Sequence, residues 1–196
     1  MRSNLTIKHT KCAIIGGIGS GKSEVLKVAR QMGVAALSAD EINAELLSLP
    51  EYIVDIARVF PAAVEDGVVD RRRLAEIVFA SDVEREKLNA IAHPRILARI
   101  KDDVRSPLVV EMPLLLECGA QGMFDEIVLV RTPINMRLDR LEKRGLDRES
   151  AIKRMNAQAS EDELMAVATH VLDNSGDMKT LCENAKVLFD ELFKTK

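Results

Sequence analysis

The chain has 196 residues, of which 28 are Lys or Arg and 31 are Asp or Glu, so its formal net charge is -3. Apolar residues make up 47% of the chain and charged residues 30%, a composition typical of a globular domain with a sizeable core rather than of a disordered segment. Aromatic residues make up only 3%, and there is no basic excess. The composition therefore argues against nucleic acid, single-stranded or double-stranded, as a partner.

The cysteines Cys12, Cys118 and Cys182 lie 106 and 64 residues apart. No pair has the spacing of a zinc-binding or redox motif, and an odd count argues against a disulfide framework, so we expect reduced thiols and a cytoplasmic location. No eighteen apolar residues occur without interruption, and the apolar stretch at residues 12–15 is too short for the core of a signal peptide. We therefore expect neither a membrane span nor secretion.

Apolar stretches of strand length alternate with amphipathic stretches of helix length, which is typical of an α/β domain with a largely parallel sheet. We predict strands at residues 11–15, 33–37, 108–112, 126–130 and 170–172. The clearest helices are predicted at residues 22–32, 72–80, 94–104 and 178–192.

About seventy residues separate the second predicted strand from the third, which is too long for one crossover helix. We predict a helical insertion at about residues 41–106, made of short helices separated at Pro50, Pro61, Gly67 and His93-Pro94, with His93 at a helix start. A second helical segment, residues 133–168, is interrupted by Gly145 and is called the lid segment below. The prediction is one domain over residues 1–196 with two helical additions.

Residues 16–23 satisfy the pattern of Gly, four residues, Gly, Lys and Ser, between a predicted strand and a predicted helix. In this pattern glycines let backbone N-H groups turn towards phosphate oxygens, and the helix that follows adds its partial positive charge. Lys22 then supplies a full charge to the β and γ phosphates, and the Ser23 hydroxyl can bind Mg²⁺. We expect a nucleotide site formed by Gly17, Ile18, Gly19, Ser20, Gly21, Lys22 and Ser23.

This motif is compatible with a kinase, a GTPase or a transport or remodelling ATPase. The Asp-x-x-Gly match at residues 173–176 lies near the C-terminus, where we expect a turn, and the chain has no Asn-Lys-x-Asp guanine reader. A Leu-Ser-Gly-Gly-Gln-like transporter signature is also absent. A small-molecule kinase with an acceptor-binding insertion and an arginine-rich lid fits best, while a nucleotide-dependent binding switch is the alternative from another class.

Over nearly its whole length the chain resembles the dephospho-coenzyme A kinase family. Beyond residues 16–23, the resemblance rests on Ala39-Asp40, residues 67–79 with Asp70-Arg71 and Val78-Phe79, residues 88–94, residues 113–117, the spacing of Arg140, Arg144, Arg154 and Gln158, and residues 173–176.

The resemblance implies an α/β, P-loop NTPase-like doubly wound parallel sheet, with an acceptor-binding insertion and a helical lid. It implies transfer of the γ-phosphoryl group of ATP, with Mg²⁺, to the ribose 3'-hydroxyl of dephospho-coenzyme A, which yields coenzyme A and ADP. A nucleoside monophosphate kinase or another small-metabolite kinase is the alternative within enzymes, and the oligomeric state is left open.

Four positions depart from the residues usual in the family: Glu24 replaces Thr, Ser38 replaces Asp, Ala44 replaces Arg, and Glu111 replaces Asp or an apolar residue. None of them changes the phosphate-binding motif or Asp40. The change at Ala44 bears on acceptor binding, because this position lies one helical turn from Asp40.

Asp40 follows the second predicted strand, at the edge where a doubly wound sheet binds its ligands. The resemblance makes Asp40 the general base on the acceptor hydroxyl. An alternative is local: Ser38 and Glu41 have the spacing of a capping box, so Asp40 is then an acidic first-turn residue favoured by the helix dipole.

Arginines recur at intervals of three, four and four residues, at Arg137, Arg140, Arg144 and Arg148. Such a stripe is ordinarily a solvated helix face, but in a kinase a closing arginine meets the charge of the transferred phosphoryl group. We expect Arg140 to be catalytic and Arg144 to bind the nucleotide, with Arg154 a further candidate.

Three further side chains remain candidates. Asn174 follows the last predicted strand and is a candidate for contact with the adenine. Glu111 ends a strand where a carboxylate could hold a water on Mg²⁺, and Glu117 could equally cap a helix or pair locally.

Overall fold

The computed structural model describes residues 10–193. The strands are β1 (Lys11–Ile15), β2 (Ala35–Ser38), β3 (Val64–Glu65), β4 (Val68–Val69), β5 (Leu108–Glu111), β6 (Glu126–Arg131) and β7 (His170–Asp173). The α-helices are α1 (Lys22–Gln31), α2 (Ala39–Leu46), α3 (Pro50–Val59), α4 (Arg71–Ala80), α5 (Asp82–Lys101), α6 (Ile134–Lys143), α7 (Arg148–Asn156), α8 (Glu161–Val167) and α9 (Met178–Phe193). Short 3₁₀ helices occur at Pro61–Ala63 and Gln121–Met123.

Five strands form one sheet in the order β2-β5-β1-β6-β7, and each neighbouring pair is parallel. β1 is central: Ile14 is in register with Glu111 on one side and Val128 on the other. Every residue of β5 is buried, as expected for a parallel strand covered on both faces. The carboxyl ends of these strands share one edge, so the segments that follow β1, β5, β6 and β7 come together there.

By its contacts the chain divides into two compact units, residues 39–103 and the remainder. In the remainder, α1 and α9 pack together and the core includes Cys12, Ile14, Val25, Leu181 and Phe189. Burial raises the pKa of the Cys12 thiol to about 12, with a smaller contribution from the charge of Glu126. No helix within residues 10–193 combines the length and the apolar character needed to cross a membrane.

The unit at residues 39–103 contains α2 to α5 and the antiparallel pair β3-β4. Asp70 caps α4 by accepting hydrogen bonds from the backbone N-H groups of Arg72 and Arg73, at 3.0 and 3.1 Å. The fully buried Tyr52 donates from its hydroxyl to Asn43 Oδ1 across 3.0 Å. This contact joins α3 to α2.

The predicted break at His93-Pro94 was wrong, because α5 continues through both residues to Lys101. His93 is therefore an interior helix residue rather than a helix start. Ser81 caps this helix, and its buried face packs on α4, so tertiary contacts offset the hydrogen bond that Pro94 cannot donate. The carbonyl that loses this bond belongs to the exposed Ala90, where water can replace the donor.

The start of the second strand was also predicted two residues too early. Gly33 adopts a φ of +77°, and the N-H of Val34 donates to the carbonyl of Ala29 across 3.0 Å. These two residues therefore close the C-terminus of α1, and β2 begins only at Ala35.

Candidate active site

The phosphate-binding motif, residues 16–23, forms the loop between β1 and α1 and is called the phosphate loop below. Gly21 is the N-cap of α1 with a φ of +101°, and a Cβ there would lie 2.6 Å from Asn174 Nδ2. A Cβ at Gly17 would lie 2.1 Å from Arg137 Nη2. Glycine is therefore favoured at Gly21 by both backbone conformation and a close neighbour, and at Gly17 by the close approach of the Arg137 guanidinium.

Lys22 begins α1, and only 7% of it is exposed. Its ammonium donates hydrogen bonds to the carbonyls of Gly16 and Gly17, at 2.8 and 3.1 Å. The charge is thus held against the phosphate loop, next to the partial positive charge at the N-terminus of α1. This combination attracts the anionic end of a nucleotide.

Ser23 and Glu111 join α1 to β5. The Ser23 hydroxyl donates to Glu111 Oε1 across 3.0 Å, and only 6% of Glu111 is exposed. A hydroxyl and a carboxylate are hard oxygen donors of the kind Mg²⁺ prefers. Mg²⁺ is commonly held by one or two protein oxygens together with phosphate and water, and this pair suits such binding.

The carbonyl of Ser20 accepts hydrogen bonds from side chains of two other segments at this edge of the sheet. Thr132, after β6, donates from Oγ1 across 2.8 Å, and Asn174, after β7, donates from Nδ2 across 2.7 Å. Arg140 reaches the same part of the phosphate loop, with Nη1 3.3 Å from the carbonyl oxygen of Gly19 and Nη2 3.4 Å from Asn174 Oδ1. The structure therefore brings Arg140 and Asn174 together at the phosphate loop.

Arg137 lies one helical turn before Arg140 and also contacts the phosphate loop. Its Nε donates to the carbonyl of Ile18 across 2.9 Å. Burial lowers the pKa of the Arg137 guanidinium from its ordinary value, and the charge of Glu161 opposes that shift. The N-H of Ile18 donates to Gln158 Oε1 across 2.7 Å.

Sequence reasoning missed Thr132 and gave Arg137 no role of its own. The stripe had already grouped Arg137 with Arg140, which lies three residues on and on the same face of α6, but it gave no reason to assign Arg137 a contact of its own. Thr132 follows directly on β6, at the edge of the sheet where the phosphate loop lies. Its position after a strand was the available signal.

The arginine stripe does not continue as one helix. α6 ends at Lys143, Arg144 is its exposed C-cap, and Arg148 begins α7 and pairs with Glu142 at 3.0 Å. Arg154 lies in α7 and is partly buried. The predicted Arg140 lies at the phosphate loop.

Three other candidates have clear positions. Asp40 is exposed in the first turn of α2, within the unit at residues 39–103. Glu117 accepts a hydrogen bond from the N-H of Ala159 across 3.0 Å, which is a long-range contact rather than a local one and ties residues 113–117 to the lid segment. The turn expected at residues 173–176 is confirmed: the N-H of Ser175 donates to Asp173 Oδ1 across 2.8 Å.

The known proteins that this chain resembles include kinases. A family model described as Dephospho-CoA kinase matches residues 11–180. A Dephospho-CoA kinase of Bacillus licheniformis is 39% identical over 178 residues, which cover 85% of this chain and 88% of the relative.

Two solved structures share the fold. TT1252 from Thermus thermophilus matches with a TM-score of 0.78 and 35% identity, covering 94% of this chain and 98% of the other. Shikimate kinase from Acinetobacter baumannii in complex with shikimate matches with a TM-score of 0.61 and 14% identity, covering 95% of this chain and 94% of the other. These likenesses confirm the predicted P-loop NTPase-like fold. Because the family match runs from β1 into the first turn of α9 and includes the whole phosphate loop, the chain belongs to the dephospho-CoA kinase family.

Proposed function

We propose that this chain transfers the γ-phosphoryl group of ATP to the ribose 3'-hydroxyl of dephospho-coenzyme A, yielding coenzyme A and ADP. The proposal rests on the phosphate loop, which holds the buried Lys22 and lies next to the Ser23-Glu111 pair. It also rests on the membership of the chain in this family. Phosphoryl transfer depends chiefly on positioning and on stabilising charge, and these residues supply both.

The donor side of the site is assigned to the phosphate loop. Residues 17–23 form the site for the ATP phosphates, which backbone N-H groups bind, apart from the N-H of Ile18, which is bonded to Gln158. The ammonium of Lys22 stays with the γ-phosphoryl group during its transfer. Ser23 would bind Mg²⁺ directly, and Glu111 would hold one of its water ligands. Bound with ATP, Mg²⁺ would neutralise part of the charge on the β and γ oxygens.

The acceptor side is assigned to the insertion, residues 41–106, together with Asp40. A ribose hydroxyl is a poor nucleophile at neutral pH, and a carboxylate within hydrogen-bond reach orients it and accepts its proton. Asp40 is exposed and so is accessible to such an acceptor.

The lid segment, residues 133–168, completes the proposed site. Arg140 stabilises the charge of the transferred group, and Arg144 binds a nucleotide phosphate. Asn174 is 1% exposed and its side chain is bonded to the carbonyl of Ser20 and to Arg140, which suits support of the phosphate loop better than the expected contact with the adenine. The position of Arg140 at the phosphate loop supports its role. The free thiols of Cys12, Cys118 and Cys182 support a reducing, cytoplasmic location.

One experiment tests the reaction. Purified protein is incubated with ATP and Mg²⁺, in parallel with dephospho-coenzyme A, AMP, CMP, shikimate or no acceptor, and ADP formation is followed. We expect ADP to form with dephospho-coenzyme A and the product to carry a 3'-phosphate by mass and NMR analysis. Turnover with AMP, CMP or shikimate in its place would assign a different kinase, and turnover independent of acceptor would indicate a nucleotide switch.

A further inference from the structure

Ile18 is held by the lid segment at both polar groups of its backbone. Its N-H donates to Gln158 Oε1 across 2.7 Å, and its carbonyl accepts from Arg137 Nε across 2.9 Å. Arg137 belongs to α6, whereas Gln158 follows α7. Two separate parts of the lid segment therefore hold the same residue of the phosphate loop.

The side chain of Ile18 contacts the lid segment as well. It packs against the hydrophobic cluster formed by Leu138, Leu141, Ala151 and Met155, which joins α6 to α7. The Ile18 side chain thereby fixes the phosphate loop to the lid segment, and it is called the anchor below. Such packing holds an irregular loop more firmly than hydrogen bonds alone, because displacing the loop would expose apolar surface.

The residues beside Ile18 impose little conformation of their own. Both neighbours, Gly17 and Gly19, are glycines, and Gly19 has a φ of +80°. Glycine restricts the backbone less than any other residue, so contacts with other side chains decide which conformation this part of the phosphate loop adopts. Lys22 holds the carbonyl of Gly17 from within the loop, and the lid segment holds Ile18. The guanidinium of Arg137 lies directly against it, at the place where a Cβ on Gly17 would stand.

We propose that Ile18 is a positioning residue, through which the lid segment sets the backbone conformation of the phosphate loop that binds the nucleotide. Its side chain does not touch the phosphates; it acts through the N-H groups of its glycine neighbours. The inference rests on the proposed kinase activity. Arg137 and Gln158 accordingly influence catalysis by holding Ile18.

The first test truncates the anchor. Ile18→Ala is expected to lower kcat/KM for ATP by about 10- to 100-fold, since a displacement near 1 Å can cost about that much in rate. ADP affinity, measured by calorimetry without acceptor, is expected to fall with it. Ile18→Val, which keeps most of the packing, should restore both. The matched control is Ile152→Ala, because Ile152 lies on α7 and is 42% exposed; it should behave as the parent.

The second test addresses coupling to the lid segment. Gln158→Met keeps the length of the side chain but removes the acceptor, and we expect faster amide hydrogen exchange in a peptide covering residues 16–23. In a double-mutant cycle, Met155→Ala should add little to the loss of ADP affinity and kcat/KM already caused by Ile18→Ala. If Ile18→Ala does not fold, the Gln158→Met exchange measurement carries the test.

Parent values of ADP affinity and kcat/KM in folded Ile18→Ala would overturn the inference. So would additive effects in the double-mutant cycle, or unchanged exchange of residues 16–23 in Gln158→Met. ADP affinity and hydrogen exchange are measured without an acceptor. Failure of the parent to phosphorylate dephospho-coenzyme A would therefore count against the proposed function only. The role of Ile18 would still be tested by ADP affinity and hydrogen exchange.

Discussion

The hydroxyl of Ser23 donates a hydrogen bond of 3.0 Å to the carboxylate of Glu111, so the first turn of α1 is tied to the last residue of β5. Glu111 pairs in register with Ile14, just before the phosphate loop begins. A buried carboxylate beside the proposed metal-binding hydroxyl orients that hydroxyl and adds negative charge where a cation would sit. The two residues are therefore expected to act as a unit in binding Mg²⁺.

Glu111→Gln removes this charge while keeping the size of the side chain and an oxygen acceptor. We expect the Mg²⁺ concentration for half-maximal rate to rise by about 10- to 100-fold, the usual effect of losing an outer-shell partner. The measurement is a Mg²⁺ titration at saturating ATP and acceptor. The control is Glu86→Gln at an exposed position of α5. An unchanged titration in Glu111→Gln would limit this carboxylate to a structural role.

Lys22→Ala should lower turnover by about 10² to 10³, because the ammonium stabilises charge that develops on the transferred group. Thermal melting checks that the protein remains folded. Lys27→Ala, an exposed lysine on the same helix paired with Glu24 at 2.8 Å, is the matched control and should lose little activity. Near-parent turnover in folded Lys22→Ala would remove this residue from the mechanism.

Arg140→Ala is expected to reduce kcat by about 10² or more, with a smaller effect on stability, because its guanidinium is placed at the phosphate loop. The control Arg148→Ala removes an exposed pair with Glu142, which is worth about 0 to 1 kcal/mol. Rapid-quench kinetics and melting temperatures separate the two effects. A large loss of stability with kcat retained would make Arg140 a structural residue.

Asp40→Asn preserves the shape of the side chain and removes its charge and basicity. On the catalytic interpretation, turnover falls by about 10² to 10⁴ while ATP affinity is little changed. If Asp40 is only an acidic first-turn residue that interacts with the helix dipole, the substitution lowers stability by about 0.3 to 1 kcal/mol and leaves turnover near that of the parent. The assay uses saturating dephospho-coenzyme A, with Glu45→Gln at an exposed site of α2 as control. Full activity would point to Glu41 or Glu111 as the partner of the acceptor.

The sequence was most informative where one local pattern decides the structure. Continuous apolar stretches located β1 and β5 because both strands are buried on two faces. The interior Pro94 was misread, because its helix is held by packing on α4, which a local pattern does not contain. Arg137 was undervalued for a related reason, since only the packing of α6 decides which of its faces meets the phosphate loop.

The strand order has a consequence for the time at which this site can assemble during synthesis. β1 emerges first, yet its neighbours in the sheet begin at Leu108 and Glu126, and the phosphate loop is held by Thr132, Gln158 and Asn174. A nascent chain that stops before residue 174 therefore contains the whole nucleotide motif but lacks the hydrogen bond from Asn174 to the carbonyl of Ser20. Such long-range pairing slows folding, so nucleotide binding should appear only after the last strand has left the ribosome.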